Sequence, residues 1–349
     1  MTGTVGHAGE SRLIDLIGGW IAAGASRATL RRVSAFRVRR NGRGASEHHG
    51  GTVVLRGPGD DCATVRTTGR TLLTTDAFIE DVHFRTRWTP AWMAGWKALA
   101  VNVSDIAAAG GVPRAALVSL ELPRALPVAW LRDFYAGLLA CGRRFGVAVA
   151  GGNLARGTRV ACHVALTGEA PVRRVGRDGI RPGDLLAVSG SFGASAAGLE
   201  CLRRGWHGGA VADAIWRHRV PVPRSAAGRA LAPFVSAMID VSDGLVHEAG
   251  LLAAGSGVAL VLVPGAVPVH PAARSLAPRL GWDPVRLALE SGEEYELLAA
   301  IPRARWAAAS RAAARALLPL TAVGEAGPGR PGVRLAGWHG QVGGFDHFA

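Results

Sequence analysis

Residues 238–245 read MIDVSDGL, and this stretch decides the class of fold that the chain can adopt. A short apolar strand closes at Ile239, and the residues that follow predict a helix over 242–254. Two carboxylates, Asp240 and Asp243, lie where the strand joins the helix. A polar turn that joins a strand to a helix is typical of α/β proteins, whose ligands bind at strand ends.

Strands and helices alternate on both sides of this stretch. The sequence predicts further strands at 63–66, 71–75, 115–122, 147–150, 160–167, 185–188, 258–263 and 295–301. It predicts further helices at 11–24, 90–109, 128–145, 194–203 and 303–317. This alternation indicates an α/β (α+β) protein of two lobes, with an N-terminal domain over 1–172 and a C-terminal domain over 173–349.

The positive charge of the chain does not by itself indicate a nucleic-acid-binding protein. The formal net charge of the 349 residues is +14, but Lys97 is the only lysine and the arginines are scattered. An RNA or DNA binder stays an open alternative, which predicts steeply salt-dependent binding. No aromatic RNA-binding signature or zinc-finger spacing supports it. Residues 25–51 are the local exception, and we predict that they form a basic loop insertion.

Missing motifs exclude several common classes. The loop G-x-x-x-x-G-K-[ST] cannot occur because Lys97 lies in a Trp-Lys-Ala context, and protein kinases also need a lysine on a strand. The four cysteines form no C-x-x-C pair, which disfavours a disulfide framework or a zinc site. No apolar run is long enough to span a membrane and no signal peptide is evident, so we expect a cytoplasmic protein without a membrane partner.

Acidic residues beside small residues are the candidates for chemistry. They lie near the predicted ends of strands or starts of helices, and they are Asp60, Asp61, Asp76, Asp105, Asp240, Asp243, Glu293 and Glu294. Taken singly, each is more commonly structural: a helix cap, a turn residue or, for Asp105, part of the polar face of its helix. Taken together, hard oxygen ligands at one sheet edge suit Mg²⁺, which usually bridges the phosphates of a substrate.

The order and spacing of several short blocks resemble thiamine-monophosphate kinase. The blocks are 59–63 (GDDCA), Thr75-Asp76 with Val82-His83-Phe84, 96–110 (WKALAVNVSDIAAAG), Gly151-Gly152-Asn153, 238–245 (MIDVSDGL), 292–297 (GEEYEL) and 344–348 (GFDHF). Segments 25–51, 204–222 and 302–335 match poorly. The resemblance implies membership of the aminoimidazole-ribotide-synthetase superfamily, with a two-lobed PurM-like fold and a homodimer formed through the N-terminal lobes.

The resemblance also implies roles for individual residues. The Mg²⁺ ligands would be Asp61, Thr74, Thr75, Asp76, Asp105, Asn153, Asp240 and Asp243, of which Asp61, Asp240 and Asp243 would be catalytic. ATP would contact Gly152, Asn153, Arg173 and Ser242, and thiamine monophosphate would contact His83, Glu293 and Phe345. Two departures from the family pattern are its Gly-Gly-Asp, here Gly151-Gly152-Asn153, and its Gly-Gly-Glu-Asp, here Ser291-Gly292-Glu293-Glu294.

The reaction implied by this resemblance is transfer of the γ-phosphoryl group of ATP, the co-substrate, to thiamine monophosphate. The acceptor phosphate is already ionised and needs no general base. The obstacle is repulsion between two polyanions, about 4 kcal/mol for two unit charges 4 Å apart at an effective dielectric near 20. Bound Mg²⁺ offsets this repulsion. We therefore expect direct in-line transfer without a phosphorylated enzyme residue.

Two further alternatives stay open. One is a different ATP-using enzyme of the superfamily. Selenophosphate synthetase needs a catalytic cysteine or selenocysteine near its N-terminal glycine motif, and no cysteine of this chain precedes Cys62. The hydrogenase-maturation dehydratase needs a C-terminal cysteine, whereas this chain ends in Ala349. Aminoimidazole-ribotide synthetase lacks the pairing of MIDVSDGL with GFDHF. The other alternative is a non-catalytic nucleotide-binding paralogue, which Asn153 supports best.

Overall fold

The computed structural model describes residues 3–8, 10–24, 53–56, 64–67, 69–340 and 342–345. The predicted loop insertion 25–51 and the candidate ligand Asp61 lie outside the described residues. The chain divides into two compact units. The N-terminal unit is Met1–Ile106 with Val112–Ala170, and the C-terminal unit is Ala107–Gly111 with Pro171–Ala349.

The N-terminal unit is built on one four-stranded sheet. Its strands are β3 (Thr71–Ile79), β4 (Val112–Leu122), β5 (Ala148–Arg156) and β6 (Ala161–Glu169), in the order β3-β6-β4-β5. Only β4 and β5 are parallel. Two short strands, β1 (Val53–Arg56) and β2 (Thr64–Arg66), form a separate antiparallel ribbon. The helices are α1 (Val5–Ala8), α2 (Glu10–Gly24), α3 (Ala91–Ala108) and α4 (Val128–Phe145).

Among the described residues, the helices cover one face of this sheet, and side chains on the other, open face are exposed. Alternate residues of β6, Cys162, Val164 and Leu166, lie in the same buried cluster as side chains of α2, α3 and α4. On the opposite face Leu73 is 77% exposed and Leu117 is 45% exposed. This alternation follows from the two-residue period of a strand.

The C-terminal unit has a six-stranded sheet with apolar side chains buried on both faces. Its strands are β7 (Leu185–Ser189), β8 (Ala237–Asp240), β9 (Ala259–Leu262), β10 (Leu297–Ile301), β11 (Leu320–Gly327) and β12 (Gly332–Leu335), in the order β12-β9-β11-β7-β10-β8. Only β12 and β9 are parallel. Residues Leu298 and Ala300 of β10 enter one cluster, whereas Leu297 and Ala299 enter another. Burial on both faces explains why β10 is apolar throughout.

Within the described residues of this unit, seven helices pack on these two faces. They are α5 (Ala194–Arg204), α6 (Gly209–Arg219), α7 (Ser225–Leu231), α8 (Leu245–Ser256), α9 (Pro271–Leu280), α10 (Pro284–Glu290) and α11 (Trp306–Arg315). Side chains of α5, α6, α8, α9 and α10 share one cluster, and those of α7 and α11 share the other. In the described parts of the chain, no helix combines the length and the apolar character that crossing a membrane requires.

Several predicted boundaries are wrong for identifiable reasons. The strand predicted to stop at Thr75 continues to Ile79, because pairing with β6 extends that far. The Gly151-Gly152-Asn153 block lies inside β5, not after a strand. Helix α8 begins at Leu245 because Gly244 has φ 126°, outside the helical region. Strand β10 begins at Leu297, since Tyr295 has φ 53°. The helices α1, α6, α7, α9 and α10 and the strands β1, β11 and β12 were not predicted.

Helices α3 and α4 cross with their backbones in contact at two glycines. A Cβ atom on Gly95 would overlap the carbonyl oxygen of Phe134, and one on Gly137 would overlap the carbonyl oxygen of Trp92. A backbone carbonyl can move away only if the helices separate. The crossing therefore depends on having no side chain at either position.

We expect Gly137→Ala to lower the free energy of unfolding by about 2 kcal/mol, a common cost of overpacking. Gly19→Ala is the matched control, because no atom lies within 4 Å of a Cβ at this exposed position of α2. The control should gain about 0.5–1 kcal/mol, since alanine suits a helix interior better than glycine. Thermal unfolding followed by circular dichroism measures both. An unchanged midpoint for Gly137→Ala would contradict the close crossing.

Candidate functional site

In the N-terminal unit, a hydrogen bond joins the candidate residues of β3 and α3. The Thr74 hydroxyl donates to Oδ2 of Asp105. Asp76 lies two residues after Thr74 on the same strand, so it projects from the same face of the sheet. Thr74, Asp76 and Asp105 therefore form one oxygen-rich group on the face that the helices cover.

Thr75 and Asn153 do not join this group. Thr75 is exposed and lines a cavity of about 600 Å³ on the open face, together with Leu73 and Leu117. Asn153 lies on β5, the edge strand opposite β3, and pairs in register with Ser119 of β4. Three strand spacings separate β3 from β5, which is about 14 Å. The predicted ligands of the N-terminal unit are therefore not together: Thr74 and Asp76 are on the covered face of the edge strand β3. Thr75 is on the open face of the same strand, and Asn153 is on the other edge strand, β5.

Two other candidates of this unit are Gly152 and His83. A Cβ atom on Gly152 would overlap the carbonyl oxygen of Val118, so glycine is needed for the close pairing of β5 with β4. The Nδ1 atom of His83 accepts a hydrogen bond from the backbone nitrogen of Ile79 at 3.1 Å. This bond places the proton of the neutral ring on Nε2.

In the C-terminal unit, three distant blocks of sequence meet around the loop that follows β8. The carbonyl oxygen of Ser242 accepts from the nitrogen of Glu293 at 2.6 Å. The carbonyl oxygen of Asp243 accepts from the nitrogen of Phe345 at 2.9 Å. The blocks MIDVSDGL, GEEYEL and the start of GFDHF are therefore joined backbone to backbone. This places Asp240, Asp243, Glu293 and Phe345 in one region of the unit.

The close contact of these segments requires glycines. A Cβ atom on Gly292 would lie 2.7 Å from the carbonyl oxygen of Ser242, and one on Gly344 would lie 2.6 Å from Cβ of His247. Gly244 has φ 126° and would bring its Cβ within 2.9 Å of the carbonyl oxygen of Glu290. Real Cβ atoms essentially never approach so closely, so each of these motif glycines has a packing reason.

Glu248 is a functional candidate that the sequence did not indicate. Its Oε1 atom accepts from the nitrogen of Asp243 at 2.8 Å, and from the nitrogen and hydroxyl of Ser242 at 3.2 and 3.3 Å. The side chain is 1% exposed, and burial raises its pKa to about 7 despite these bonds. A glutamate in the first turn of a helix, reaching back to the amides before it, is a capping arrangement that spacing could have suggested.

The remaining candidates of this unit lie at different positions around β8. Arg173 donates to the carbonyl oxygen of Val235 at 2.6 Å, ahead of β8. Asp240 is almost fully buried at the end of β8. The Phe345 side chain is 53% exposed.

The donor chemistry of both groups fits Mg²⁺. The N-terminal group holds Thr74, Asp76 and Asp105, and the C-terminal group holds Asp240, Ser242 and Asp243. Across the described residues, no three histidine, cysteine, aspartate or glutamate side chains converge into a metal-binding cluster. Mg²⁺ does not require one, because it binds through one or two carboxylates and completes its octahedron with water and substrate phosphates.

Glu294 stabilises the first turn of α5. Its Oε1 atom accepts from the nitrogens of Gly193 and Ser195 at 2.7 and 3.1 Å, and from the hydroxyl of Ser291 at 2.6 Å. Burial raises the pKa of Glu294 from 4.5 to about 7 although these bonds lower it. The two departures of this block from the family pattern, Ser291 and Glu294, are thus bonded to each other.

We expect Glu294→Gln to gain stability relative to the native protein as pH rises. The glutamine oxygen can accept the same three bonds, but it carries no proton to lose. The pKa of Glu294 is higher in the folded state (about 7) than in the unfolded state (4.5), so the unfolded chain loses this proton first as pH rises. The free energy of unfolding of the native protein therefore falls progressively from about pH 4.5 to pH 7. The difference in unfolding free energy between the two proteins should therefore rise over that window and level off above it. Denaturant titrations at several pH values measure this difference, and a pH-independent difference would contradict the assignment.

Comparisons with known proteins identify the family of the chain. Residues 59–170 match the family described as AIR synthase related protein, N-terminal domain. The thiamine-monophosphate kinase of Aquifex aeolicus (strain VF5) is 37% identical over 293 residues, which is 83% of this chain and 92% of the relative.

Solved structures show the same similarity. AaThiL complexed with AMPPCP and TMP is 36% identical, with a TM-score of 0.74 over 80% of this chain and 87% of that chain. The thiamine-monophosphate kinase of Stenotrophomonas maltophilia K279a is 31% identical, with a TM-score of 0.76 over 90% and 97%. The predicted PurM-like α/β fold and the resemblance are both confirmed. By sequence identity over most of its length, the chain belongs to the thiamine-monophosphate kinase family.

Proposed function

We propose that this chain transfers the γ-phosphoryl group of ATP to thiamine monophosphate, yielding thiamine diphosphate and ADP. The observation that carries the proposal is the backbone assembly of Ser242 and Asp243 with Glu293 and Phe345. The relative that holds AMPPCP and TMP supports the two substrates. A cytoplasmic location belongs to the same proposal.

The proposed Mg²⁺ ligands are the oxygen groups of each unit. In the N-terminal unit these are Asp76 and Asp105, with Thr74 hydrogen bonded to Asp105. In the C-terminal unit these are Asp240 and Asp243. The resemblance adds Asp61, Thr75 and Asn153 to this set. When bound, Mg²⁺ supplies neutralisation of the negative charge that the phosphates carry.

The chain itself contributes positioning. Glu248 accepts hydrogen bonds from the backbone nitrogens of Ser242 and Asp243. These bonds hold the loop that carries the candidate ligand Asp243. We propose that Gly152, Asn153, Arg173 and Ser242 contact ATP. A rigid support reduces the cost of orienting a reacting group.

The acceptor needs orientation and no deprotonation, because its phosphate is ionised. Glu293, His83 and Phe345 are the residues proposed to contact thiamine monophosphate. The exposed ring of Phe345 can pack against an aromatic ring of the substrate. His83 acts as an orienting group, since Nδ1 is already bonded to the backbone. Direct in-line transfer follows, without a phosphorylated side chain.

The decisive measurement is an assay of purified protein with ATP, Mg²⁺ and thiamine monophosphate, with the product separated by chromatography. Asp243→Asn should lower kcat on the order of 10²-fold or more, since even residues that only support a metal ligand cost 10–100-fold. Asp133→Asn, an exposed carboxylate paired with Arg132, is the control and should keep native activity. Removing Mg²⁺ with EDTA should stop turnover.

Two results of this assay would count against the proposal. If the native protein forms no thiamine diphosphate above background but binds ATP, the non-catalytic paralogue that Asn153 suggests is the better reading. If Asp243→Asn remains fully active, Asp243 is not a metal ligand.

We also propose a homodimer formed through the open face of the N-terminal sheet. Leu73 and Leu117 are exposed there beside the cavity of about 600 Å³, and a second copy of this face would cover them.

Leu117→Glu should convert the dimer to monomers, because it buries a charge at the interface. Ile14→Glu on α2 is the control, since Ile14 is similarly exposed (47%) but lies on a helix. Sedimentation velocity of both variants and the native protein measures the change. A monomeric native protein, or a dimeric Leu117→Glu variant, would refute the proposed interface.

A further inference from the structure

The segment 291–296 (SGEEYE) carries three carboxylates, and the structure gives them different tasks. Glu294 is bonded to the first turn of α5. Glu296 is 2% exposed and forms a bidentate ion pair with Arg224 while accepting from the Ser189 hydroxyl at 2.6 Å. Both of these carboxylates are committed to holding the fold. Glu293 is the carboxylate that has an accessible part, with 27% of its side chain exposed.

The side chain of Glu293 contacts a buried histidine, His218. Its Oε2 atom lies 3.3 Å from Nδ1 of His218, whose side chain is 6% exposed. The same Nδ1 atom lies 3.1 Å from the hydroxyl of Ser195. His218 belongs to α6, within the segment 204–222 that matches the family poorly in sequence.

The chemistry of Glu293 favours one tautomer of His218. An ionised carboxylate only accepts hydrogen bonds, so a hydrogen bond between Glu293 and His218 needs the hydrogen on Nδ1. The Ser195 hydroxyl then accepts from the same N–H or bonds elsewhere. Ser195 is itself fixed, because its nitrogen donates to Glu294. The ring is therefore held between α5 and the acidic segment.

The backbone of Glu293 is also constrained. Its φ of 58° is in the left-handed region, and its nitrogen is bonded to Ser242. A residue held in this conformation is over-determined by its surroundings. The remaining freedom is rotation of the side chain, and the His218 contact restricts that rotation.

We propose that His218 is a positioning residue that orients the Glu293 carboxylate toward thiamine monophosphate. The inference rests on the proposed function, because it takes Glu293 as a contact of the acceptor. Losing the orienting bond should weaken acceptor binding and leave ATP binding unchanged. A hydrogen bond to a charged group corresponds to roughly a tenfold change in affinity.

The test is steady-state kinetics with each substrate varied in turn. His218→Ala should raise the KM for thiamine monophosphate about tenfold and change the KM for ATP by less than about twofold. His218→Asn should restore most of the loss, because the asparagine Nδ2 atom takes the place of Nδ1. His218→Gln should not, because its amide nitrogen corresponds to Nε2. The asparagine variant, which keeps a donor at the position of Nδ1, also keeps the test valid if His218→Ala folds poorly.

Two controls separate positioning from general structural damage. His270 is the matched histidine: it is 5% exposed, in the same unit, and caps α9 through Ala272. His270→Ala should lower the unfolding temperature without a selective change in the KM for thiamine monophosphate. The double variant His218→Ala with Glu293→Ala should be no worse than Glu293→Ala alone.

Distinct results would overturn the inference and the proposed function. A parallel rise of both KM values in His218→Ala and His218→Asn, or additive losses in the double variant, would overturn the role of His218. A native protein that makes no thiamine diphosphate would overturn the proposed function, and this inference with it.

Discussion

The backbone contact between Ser242–Asp243 and two later segments is the constraint on which the C-terminal unit's candidate site depends. Main-chain bonds to Glu293 and Phe345 bring together residues that lie 50 to 100 positions apart in the chain. Such bonds need backbones at van der Waals distance, and Gly292 and Gly344 allow this. The carboxylates at this loop are therefore carried by a braced backbone, which favours a fixed ligand geometry.

Hydrogen bonds to three buried glutamates hold the segments around this loop in place. Glu248 satisfies the amides of the loop, Glu294 satisfies those at the start of α5, and Glu296 pairs with Arg224. Buried charges persist only when partners compensate for the lost hydration. The pKa values of Glu248 and Glu294, both raised to about 7, show that compensation is partial. Burying Glu248 and Glu294 therefore costs some folding free energy, but it fixes the backbone of the loop and of the first turn of α5.

In the N-terminal unit, the alternation of side chains along β3 separates the candidate ligands between the two faces of the sheet. Neighbouring residues of β3 project from opposite faces, so Thr74 is bonded to Asp105 on the covered face while Thr75 lines the cavity on the open face. The sequence placed Asp76 at a strand end, and the structure places it within the strand. Periodicity could not show this, because the polar residues of 74–76 read as a strand terminus until the pairing with β6 is known. Helices α3 and α4 were predicted nearly to the residue, since their apolar spacing and flanking Pro and Gly residues are local signals.

The sequence by itself determined the alternation of strands and helices, the acidic blocks and the family resemblance, since these depend on residue type and spacing along the chain. It also indicated which carboxylates could bind Mg²⁺. Only the tertiary structure decided which carboxylates hold the fold and which stay accessible, because that depends on partners from distant segments. In the segment 291–296, Glu293 contacts His218, Glu294 accepts hydrogen bonds from the start of α5, and Glu296 is bonded to Arg224 and Ser189. Burial and hydrogen bonding are properties of the folded surroundings, so identical side chains in one short motif acquire different roles.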